Sequence, residues 1–251
     1  MVSTYNDIKG KYVLITGANR GIGKEILTAF ASNKANIYAC ARKKSEEFIL
    51  LIQQLSQKYS VKIMPIFFDL SNEDSIKDGL KPLLLNKQPV DILINNAGIA
   101  HGGLLQMTKI SQIREVFEIN FFAQMHIVQI VSKIMIKHKR GSIVNIASIA
   151  GIDGEAGNCA YGASKAALIF ATKAISKELA PYNIRLNAIA PGLCDTSMAD
   201  MMEFKARENM INESSLKRLG NPQEIANVVL FLASEVASFI NGQVLRVDGG
   251  I

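Results

Sequence analysis

The sequence predicts a doubly wound α/β fold, with a seven-stranded parallel sheet covered by helices on both faces. Short runs rich in β-branched residues alternate with longer stretches of helical periodicity along all 251 residues. The strand-forming runs are apolar almost throughout, which is typical of strands buried on both faces. Alternation of strands and helices indicates βαβ units with right-handed crossovers. Because no linker, low-complexity stretch or repeat interrupts the pattern, we expect residues 1–251 to form a single domain.

Each predicted strand is a short apolar run bounded by polar residues or glycine. The seven runs are Tyr12–Thr16, Asn36–Ala41, Val61–Phe68, Asp91–Asn95, Ser142–Ala147, Ile184–Ala190 and Gln243–Val247. The first run leads into Gly17, and a helix is predicted from Ile22 to Ser32 because apolar residues recur there at helical spacing.

Residues 193–218 are the least regular stretch and are rich in Met, Glu and Asn. We expect short helices there, beyond the ends of the strands. The ligand crevice of an open α/β sheet lies at the carboxyl ends of its strands, so this stretch is a predicted substrate lid. The alternative is a mobile surface insertion.

Composition limits the classes of partner. The net charge is +6, the basic residues are scattered, and the sequence has no Trp. A base-stacking platform for nucleic acid is therefore not expected, whereas an anionic cofactor and an acidic substrate carrier are. The polar amino-terminal residues lack the apolar core of a signal peptide, and no apolar run approaches the span of a bilayer. We expect a cytoplasmic protein that does not bind membranes.

The cysteines and histidines predict neither a disulfide framework nor a metal site. Cys40, Cys159 and Cys194 are an odd, widely spaced set without a CxxC pair, which fits a reducing compartment. The three histidines are dispersed and have no metal-ligand spacing.

A glycine-rich turn joins the first strand to the first helix. Gly17 permits a tight turn, Gly21 allows close approach of a pyrophosphate, and Gly23 lets the helix pack closely on the strand. Free N–H groups at the helix start then face the phosphates. A glycine triplet alone is weak support, but its position in the first βα unit favours a dinucleotide cofactor.

The end of the second strand predicts NADP(H) rather than NAD(H). The carboxylate that holds the ribose of NAD is missing, and Arg42, Lys43 and Lys44 follow the strand. An arginine offers a bidentate fork to a 2′-phosphate, and Arg20 could hold the same phosphate from the glycine loop. The alternative is that these cations only solvate a helix start.

A tyrosine and a lysine with helical spacing suggest proton transfer. Tyr161 and Lys165 stand at i and i+4, so they share one helix face. A free Tyr ionises near pH 10, and we expect the Lys cation to lower the pKa of Tyr161. Such pairs are common on helix surfaces, but Ser148 ends the fifth strand and would bring a hydroxyl to the same edge of the sheet. A carbonyl that accepts hydride needs such a proton donor.

These motifs resemble the short-chain dehydrogenase/reductase family, whose glycine loop has the same G-x-x-x-G-x-G spacing. The resemblance extends from Lys11 to Gly250, with every major motif in order. It implies a Rossmann-type fold, reduction of ketones or oxidation of alcohols, and a homotetramer. It also implies that Asn120 distorts its helix and holds a water connected to Lys165, completing a catalytic set with Ser148 and Tyr161.

The resemblance also assigns the cofactor crevice. Asp69 stands where family members bind the adenine ring, Asn96 to Gly98 line the crevice, and the segment after Pro191 contacts the nicotinamide. The predicted cofactor-binding residues are Gly17, Asn19, Arg20, Gly21, Ile22, Gly23, Arg42, Asp69, Leu70, Asn96, Ala97, Gly98, Tyr161, Lys165, Pro191, Gly192 and Thr196.

The substrate is less constrained. The chain length, residues 157–167 and the ending from residue 218 to residue 250 resemble bacterial 3-oxoacyl-acyl-carrier-protein reductases of fatty acid synthesis. Because carrier proteins are acidic, we expect Lys139, Arg140 and Lys177 to form a basic rim near the catalytic elements. A dehydrogenase or reductase of a sugar, polyol or other small alcohol is the alternative, and a non-catalytic NADP(H)-binding sensor is an alternative of another class.

Overall fold

Seven parallel strands form one sheet in a computed structural model that describes residues 5–197 and 204–251. The strands are β1 (Tyr12–Thr16), β2 (Asn36–Ala41), β3 (Ile63–Phe67), β4 (Ile92–Asn95), β5 (Gly141–Ile146), β6 (Ile184–Pro191) and β7 (Val244–Val247). Their order is β3-β2-β1-β4-β5-β6-β7. The predicted fold class is confirmed. β3 begins later than predicted because the N–H of Val61 donates to Ser56 at the end of the preceding helix, outside the ladder.

The described residues contain eight α-helices, most of which flank the sheet. They are α1 (Gly21–Ser32), α2 (Glu46–Tyr59), α3 (Glu73–Leu85), α4 (Ile110–Phe117), α5 (Ala123–His138), α6 (Cys159–Leu179), α7 (Phe204–Glu213) and α8 (Pro222–Ala233). Several start at a side-chain cap: Ser45, Asn72 and Asn221 each accept a hydrogen bond from an N–H of the first turn. Such caps satisfy donors that a helix start leaves unpaired.

The core consists of two apolar layers, one on each face of the sheet. Ile15 and Ile94 point into the layer covered by α1, α2 and α8, whereas Leu14 and Leu93 point into the layer covered by α3 and α5. Neighbouring residues of a strand face opposite sides, so a continuous apolar run fills both layers at once.

The strand order places a ligand crevice at the carboxyl ends of β1 and β4. The chain winds outward from β1 through β2 to β3 and then returns to the other side of β1 with β4. Loops on the two sides of this reversal diverge, which opens a crevice at the edge where the strands end. The glycine loop follows β1, at that edge.

One helical run is longer and more apolar than expected, because the sequence predicted no apolar run that approaches the span of a bilayer. Ile110–His138, which contains α4, α5 and the turn between them, is long and apolar enough to cross a membrane by length and composition. However, 56% of its apolar window is buried inside the protein, as in the core helix of a globular domain.

The predicted lid lies partly outside the described residues, because residues 198–203 are not among them. Within the described part, α7 supplies the expected helix. The segment that follows α7 is held by the end of the chain, where the N–H of Leu216 donates to Gly249 and that of Ser215 donates to Gly250. Opening and closing of the lid remain predictions.

Candidate active site

The three glycine positions in the loop after β1 require glycine for different structural reasons. Gly17 and Gly21 have φ angles of +65° and +52°, a left-handed conformation that other residues rarely adopt. A Cβ on Gly23 would lie 2.0 Å from the carbonyl oxygen of Gly17 and 2.5 Å from Nδ2 of Asn96. Gly23 is therefore the position where α1 packs most tightly against the strand end.

The amino terminus of α1 suits a phosphate group. Within the described chain, Arg20 at the cap position makes no capping hydrogen bond with its side chain, and the first turn of α1 has no acidic residue. The N–H groups of that turn are thus available to donate hydrogen bonds to an anion, which the positive end of the helix dipole also favours. This region fits the pyrophosphate of a dinucleotide.

Charged groups gather where the adenosine half of a dinucleotide would lie. Arg42 and Lys43 are exposed after β2, and Asp69 is half-buried after β3. Hydrogen bonds from the N–H and hydroxyl of Ser71 lower the pKa of Asp69, and the charges of Arg42 and Lys43 add to this effect. Asp69 is therefore an ionised acceptor beside two cations. Arg20 is exposed in the glycine loop.

The buried Thr16 and the half-buried Asn96 join the glycine loop to the loop after β4, which we call the post-β4 loop (residues 96–99). Oγ1 of Thr16 accepts the N–H groups of Asn96 and Ala97 at 2.9 and 3.0 Å. Nδ2 of Asn96 donates to the carbonyls of Thr16 and Gly17 at 2.9 and 3.2 Å. The role of Thr16 was missed from the sequence, where only a polar residue ending a buried strand could have indicated it.

Asn120 lies in a distorted helical turn. Residues Glu118–Phe122 form a π-helical turn between α4 and α5, closed by a bond from the N–H of Ala123 to Glu118. Asn120 is fully buried; its Oδ1 accepts the N–H of Ile99 at 2.9 Å, and its Nδ2 donates to the carbonyl of Ile99 at 2.9 Å. The structure therefore shows the helix distortion expected at this residue, and π turns often mark functional sites.

Lys165 is buried beside the tyrosine ring. Its Nζ donates to the carbonyl of Ile146 at 2.8 Å and lies 5.8 Å from the ring centroid of Tyr161. Burial lowers the pKa of Lys165 to about 8. A Cβ placed on Gly98 would lie 3.4 Å from Nζ of Lys165 and 2.9 Å from Oδ1 of Asn120. Gly98 is thus where the post-β4 loop, Lys165 and Asn120 meet.

The expected lowering of the Tyr161 pKa is not found. Desolvation raises the pKa of this half-buried tyrosine, and a hydrogen bond with Ser148 opposes the rise only in part. The ammonium of Lys165 binds the carbonyl of Ile146 instead of the phenol. Tyr161 therefore carries its proton at neutral pH and can act as a hydrogen-bond donor beside Ser148.

The segment after β6 closes the other side of the crevice. The N–H of Gly192 donates to Val247 at 3.0 Å, which fixes the segment to the end of β7. Cγ2 of Thr196 would lie 3.4 Å from a Cβ on Gly21, so this segment faces the glycine loop directly. Pro191 ends β6 and is buried.

The remaining predicted cofactor residues border the same edge. Asn19 is exposed in the glycine loop, whereas Ile22 and Leu70 are half-buried and pack against the two core layers. All predicted site residues lie in the described part of the chain and follow β1 to β6 at their carboxyl ends or lie on the helices beside them.

An ion-pair cluster at the end of β7, which the sequence did not reveal, joins two parts of this edge. The guanidinium of Arg246 contacts Asp153 at 2.9 Å and Asp248 at 2.7 Å. Asp153 belongs to the loop that begins at Ser148, and its N–H donates to Ile149. Arg246 thus connects β7 with the loop that begins at Ser148.

The predicted basic rim is wrong. Arg140 immediately precedes β5 and pairs with Asp91, which precedes β4, so Lys139 and Arg140 lie at the amino end of the sheet. Lys177 is in the last turn of α6, a helix that starts beside the crevice at the carboxyl ends of the strands and runs away from it. In a parallel sheet each helix returns the chain to the opposite edge, so the end of such a helix lies far from the crevice of its own subunit.

Among residues 5–197 and 204–251, no group of three or more His, Cys, Asp or Glu side chains is arranged to hold a metal ion.

Comparisons with known proteins agree with this architecture. A family model described as enoyl-(acyl carrier protein) reductase matches residues 17–251. The chain is 39% identical to a 3-oxoacyl-[acyl-carrier-protein] reductase of Thermotoga maritima, over 97% of this chain and 98% of that protein. It is 36% identical to the protein of the same name from Aquifex aeolicus, over 97% and 98% of the two chains.

Solved structures show the same likeness in three dimensions. A putative gluconate dehydrogenase from Agrobacterium tumefaciens superposes with a TM-score of 0.91 at 28% identity, covering 98% of this chain and 97% of that one. A 3-oxoacyl-[acyl-carrier protein] reductase from Brucella melitensis superposes with a TM-score of 0.87 at 30% identity, covering 98% and 93%.

Proposed function

Since the chain belongs to the short-chain dehydrogenase/reductase family, we propose that it reduces the ketone of a 3-oxoacyl group on acyl carrier protein, with NADPH. The observation that carries this proposal is the meeting of Ser148, Tyr161, Lys165 and Asn120 at one end of a crevice. The uncapped start of α1 forms the other end. A protein that only senses the cofactor would not need all four side chains.

The side chains divide the chemistry between them. The bound nicotinamide supplies the hydride that the carbonyl carbon accepts. Tyr161, which keeps its proton at neutral pH, donates that proton to the carbonyl oxygen, and the Ser148 hydroxyl orients the same oxygen. Lys165 lies beside the ring, where its positive charge stabilises the phenolate that forms. Asn120 holds the post-β4 loop at Ile99 and so fixes the wall beside Lys165.

The family binds a nicotinamide dinucleotide, and the preference for NADP(H) is part of the proposal. It is supported by the exposed cations Arg42 and Lys43 and by the missing carboxylate at the end of β2. A 2′-phosphate would gain from these charges, whereas a ribose hydroxyl would find no acidic acceptor at the end of that strand.

The 3-oxoacyl substrate is favoured by the names of the relatives from T. maritima and A. aeolicus, which match nearly the whole chain. A sugar acid is the second candidate, because the putative gluconate dehydrogenase superposes with a TM-score of 0.91. The two candidates share the same reacting group, a ketone or secondary alcohol, so the catalytic side chains do not separate them.

A substrate panel tests the proposal. Purified protein is given NADPH or NADH with acetoacetyl or crotonyl thioester on acyl carrier protein, or with a keto-gluconate, and absorbance at the reduced nicotinamide band is followed. We expect rapid consumption of NADPH with the acetoacetyl thioester and little with the other two. Preferred turnover of the keto-gluconate would support the sugar acid, and preferred turnover of the crotonyl thioester would support an enoyl reductase instead.

We also propose a homotetramer in the cytoplasm. Phe122 in the π-helical turn and Phe170 on α6 are 54% and 74% exposed, where a second subunit would cover them. Cys40, Cys159 and Cys194 are free thiols, which suits a reducing compartment. Sedimentation as a tetramer at micromolar concentration would support the assembly, with Phe170→Glu expected to dissociate it, whereas a wild-type monomer would contradict it.

A further inference from the structure

A buried glutamine lies one helical turn beyond Asn120. Gln124 is in the first turn of α5, directly after the π-helical turn, and is 1% exposed. The neighbouring core residues of α5 are apolar, among them Ile127 and Val128. Because a buried amide is unfavourable unless it forms hydrogen bonds, its presence here has a specific cause.

Both N–H groups of the Gln124 amide donate to backbone carbonyls of the candidate site. Nε2 lies 2.8 Å from the carbonyl oxygen of Ala97, in the post-β4 loop, and 3.2 Å from that of Ile119, in the π-helical turn. One side chain thus joins the loop that lines the cofactor crevice to the turn that carries Asn120.

Asn120 and Gln124 bind alternate residues of the same loop. Asn120 pairs with the N–H and carbonyl of Ile99, while Gln124 binds the carbonyl of Ala97. The two amides therefore dock the loop along one helix face, as residues at i and i+4 can. The N–H of Ala97 is held from the opposite side by Thr16, so Ala97 is fixed at both of its polar groups.

Packing alone does not explain an amide at this position. Oε1 of Gln124 is buried and has no hydrogen-bond partner among residues 5–197 and 204–251. A buried acceptor without a partner is unfavourable, and an apolar side chain of the same size would avoid it. What an apolar side chain could not do is bind the carbonyls of Ala97 and Ile119.

We propose that Gln124 is a positioning residue that holds the post-β4 loop against the π-helical turn and thereby shapes the nicotinamide cofactor site. This inference rests on the proposed function for the identity of the cofactor. The side chain acts through Ala97 and Asn120. Removing its donors should loosen residues 97–99 and move Gly98, which lies between Asn120 and Lys165.

The test compares Gln124→Met, which has similar length and no donor, with Ser132→Ala on the same helix. Within the described residues, the hydroxyl of Ser132 donates only locally, to the carbonyl of Gln129 at 3.4 Å. In the free protein we expect faster hydrogen exchange at the amides of Ala97 and Ile99 in Gln124→Met. By fluorescence titration the Kd for NADPH should rise about tenfold, which corresponds to roughly 1.4 kcal/mol. Ser132→Ala should change neither quantity.

Gln124→Asn covers the case in which Gln124→Met does not fold. Its amide is one methylene shorter and cannot bind both carbonyls at their present distances, so we expect an intermediate Kd and intermediate exchange. Folded variants with a lower melting temperature but wild-type exchange and NADPH affinity would overturn the proposal and leave Gln124 a structural residue. If the wild type bound neither NADPH nor NADH, the proposed function would fail, while the exchange data would still decide the role of Gln124.

Discussion

Gly23→Ala is the most direct perturbation of the cofactor crevice. The added Cβ would lie 2.0 Å from the carbonyl oxygen of Gly17 and 2.5 Å from Nδ2 of Asn96, whereas real Cβ atoms keep at least 3.0 Å. The nearest atom belongs to backbone and cannot rotate away. Either α1 or the glycine loop must therefore shift by about 1 Å.

The expected loss of stability follows from these contacts. Overpacking of this kind costs about 1–3 kcal/mol. The displaced amide of Asn96 would also lose its bonds to the carbonyls of Thr16 and Gly17, each worth about 1 kcal/mol. We expect Gly23→Ala to lower the free energy of unfolding by about 4 kcal/mol and to weaken NADPH binding more than tenfold. That loss is a large fraction of the stability of a domain, about 5–15 kcal/mol.

The assay is urea unfolding followed by circular dichroism, together with fluorescence titration of NADPH. Gly154→Ala is the matched control, because no described atom lies within 4 Å of its added Cβ and its φ is not positive. We expect the free energy of unfolding of the control to differ from that of the wild type by less than about 0.5 kcal/mol. The steric reasoning would be refuted if the free energy of unfolding of Gly23→Ala lay within about 1 kcal/mol of the wild-type value and the variant bound NADPH with wild-type affinity.

Three further predictions concern charge. Arg42→Glu should raise the KM for NADPH at least tenfold and leave that for NADH within about twofold; equal effects on both would contradict a 2′-phosphate contact. Burial lowers the pKa of Lys165 to about 8. Between pH 8 and the ordinary pKa of a Lys side chain, the unfolded chain therefore binds more protons than the folded protein, and the free energy of unfolding rises with pH. Between pH 7.5 and 9.5, the free energy of unfolding of the wild type, measured with urea, should therefore rise by on the order of 2 kcal/mol relative to that of Lys165→Met. A difference between the two proteins that does not change with pH would exclude a lowered pKa. Because its ion pairs are partly exposed, Arg246→Leu should change the unfolding free energy by less than about 1 kcal/mol while lowering kcat several-fold through the loop of Ser148; an unchanged kcat would show that this link has no part in positioning.

The sequence predicted the elements whose signals are local. Each strand is a continuous apolar run, and the glycine loop has residues that its left-handed turn at Gly17 and its close packing at Gly23 require. Tyr161 and Lys165 were found by helical spacing. Asn120 was identified only through the family resemblance, because a single buried asparagine carries no pattern of its own.

Residues that act across the fold were missed or misplaced. Gln124 and Arg246 bind groups far away in the sequence, so no spacing rule could pair them. Lys177 was predicted to lie near the crevice, but it is in the last turn of α6, a helix that runs away from that edge. The pKa of Tyr161 was predicted to fall, since the spacing to Lys165 shows proximity but not the burial that raises the pKa of the phenol.

A single-turnover reaction of Tyr161→Phe with acetoacetyl thioester and NADPH tests the proposed chemistry of the site. In the proposed chemistry the phenol donates a proton to the carbonyl oxygen, and burial keeps it protonated at neutral pH. We expect the variant, when saturated with NADPH, to oxidise it at least a hundredfold more slowly than the wild type, in keeping with the loss of a general acid. Oxidation at the wild-type rate would contradict the assignment of Tyr161 and with it the proposed chemistry of this site.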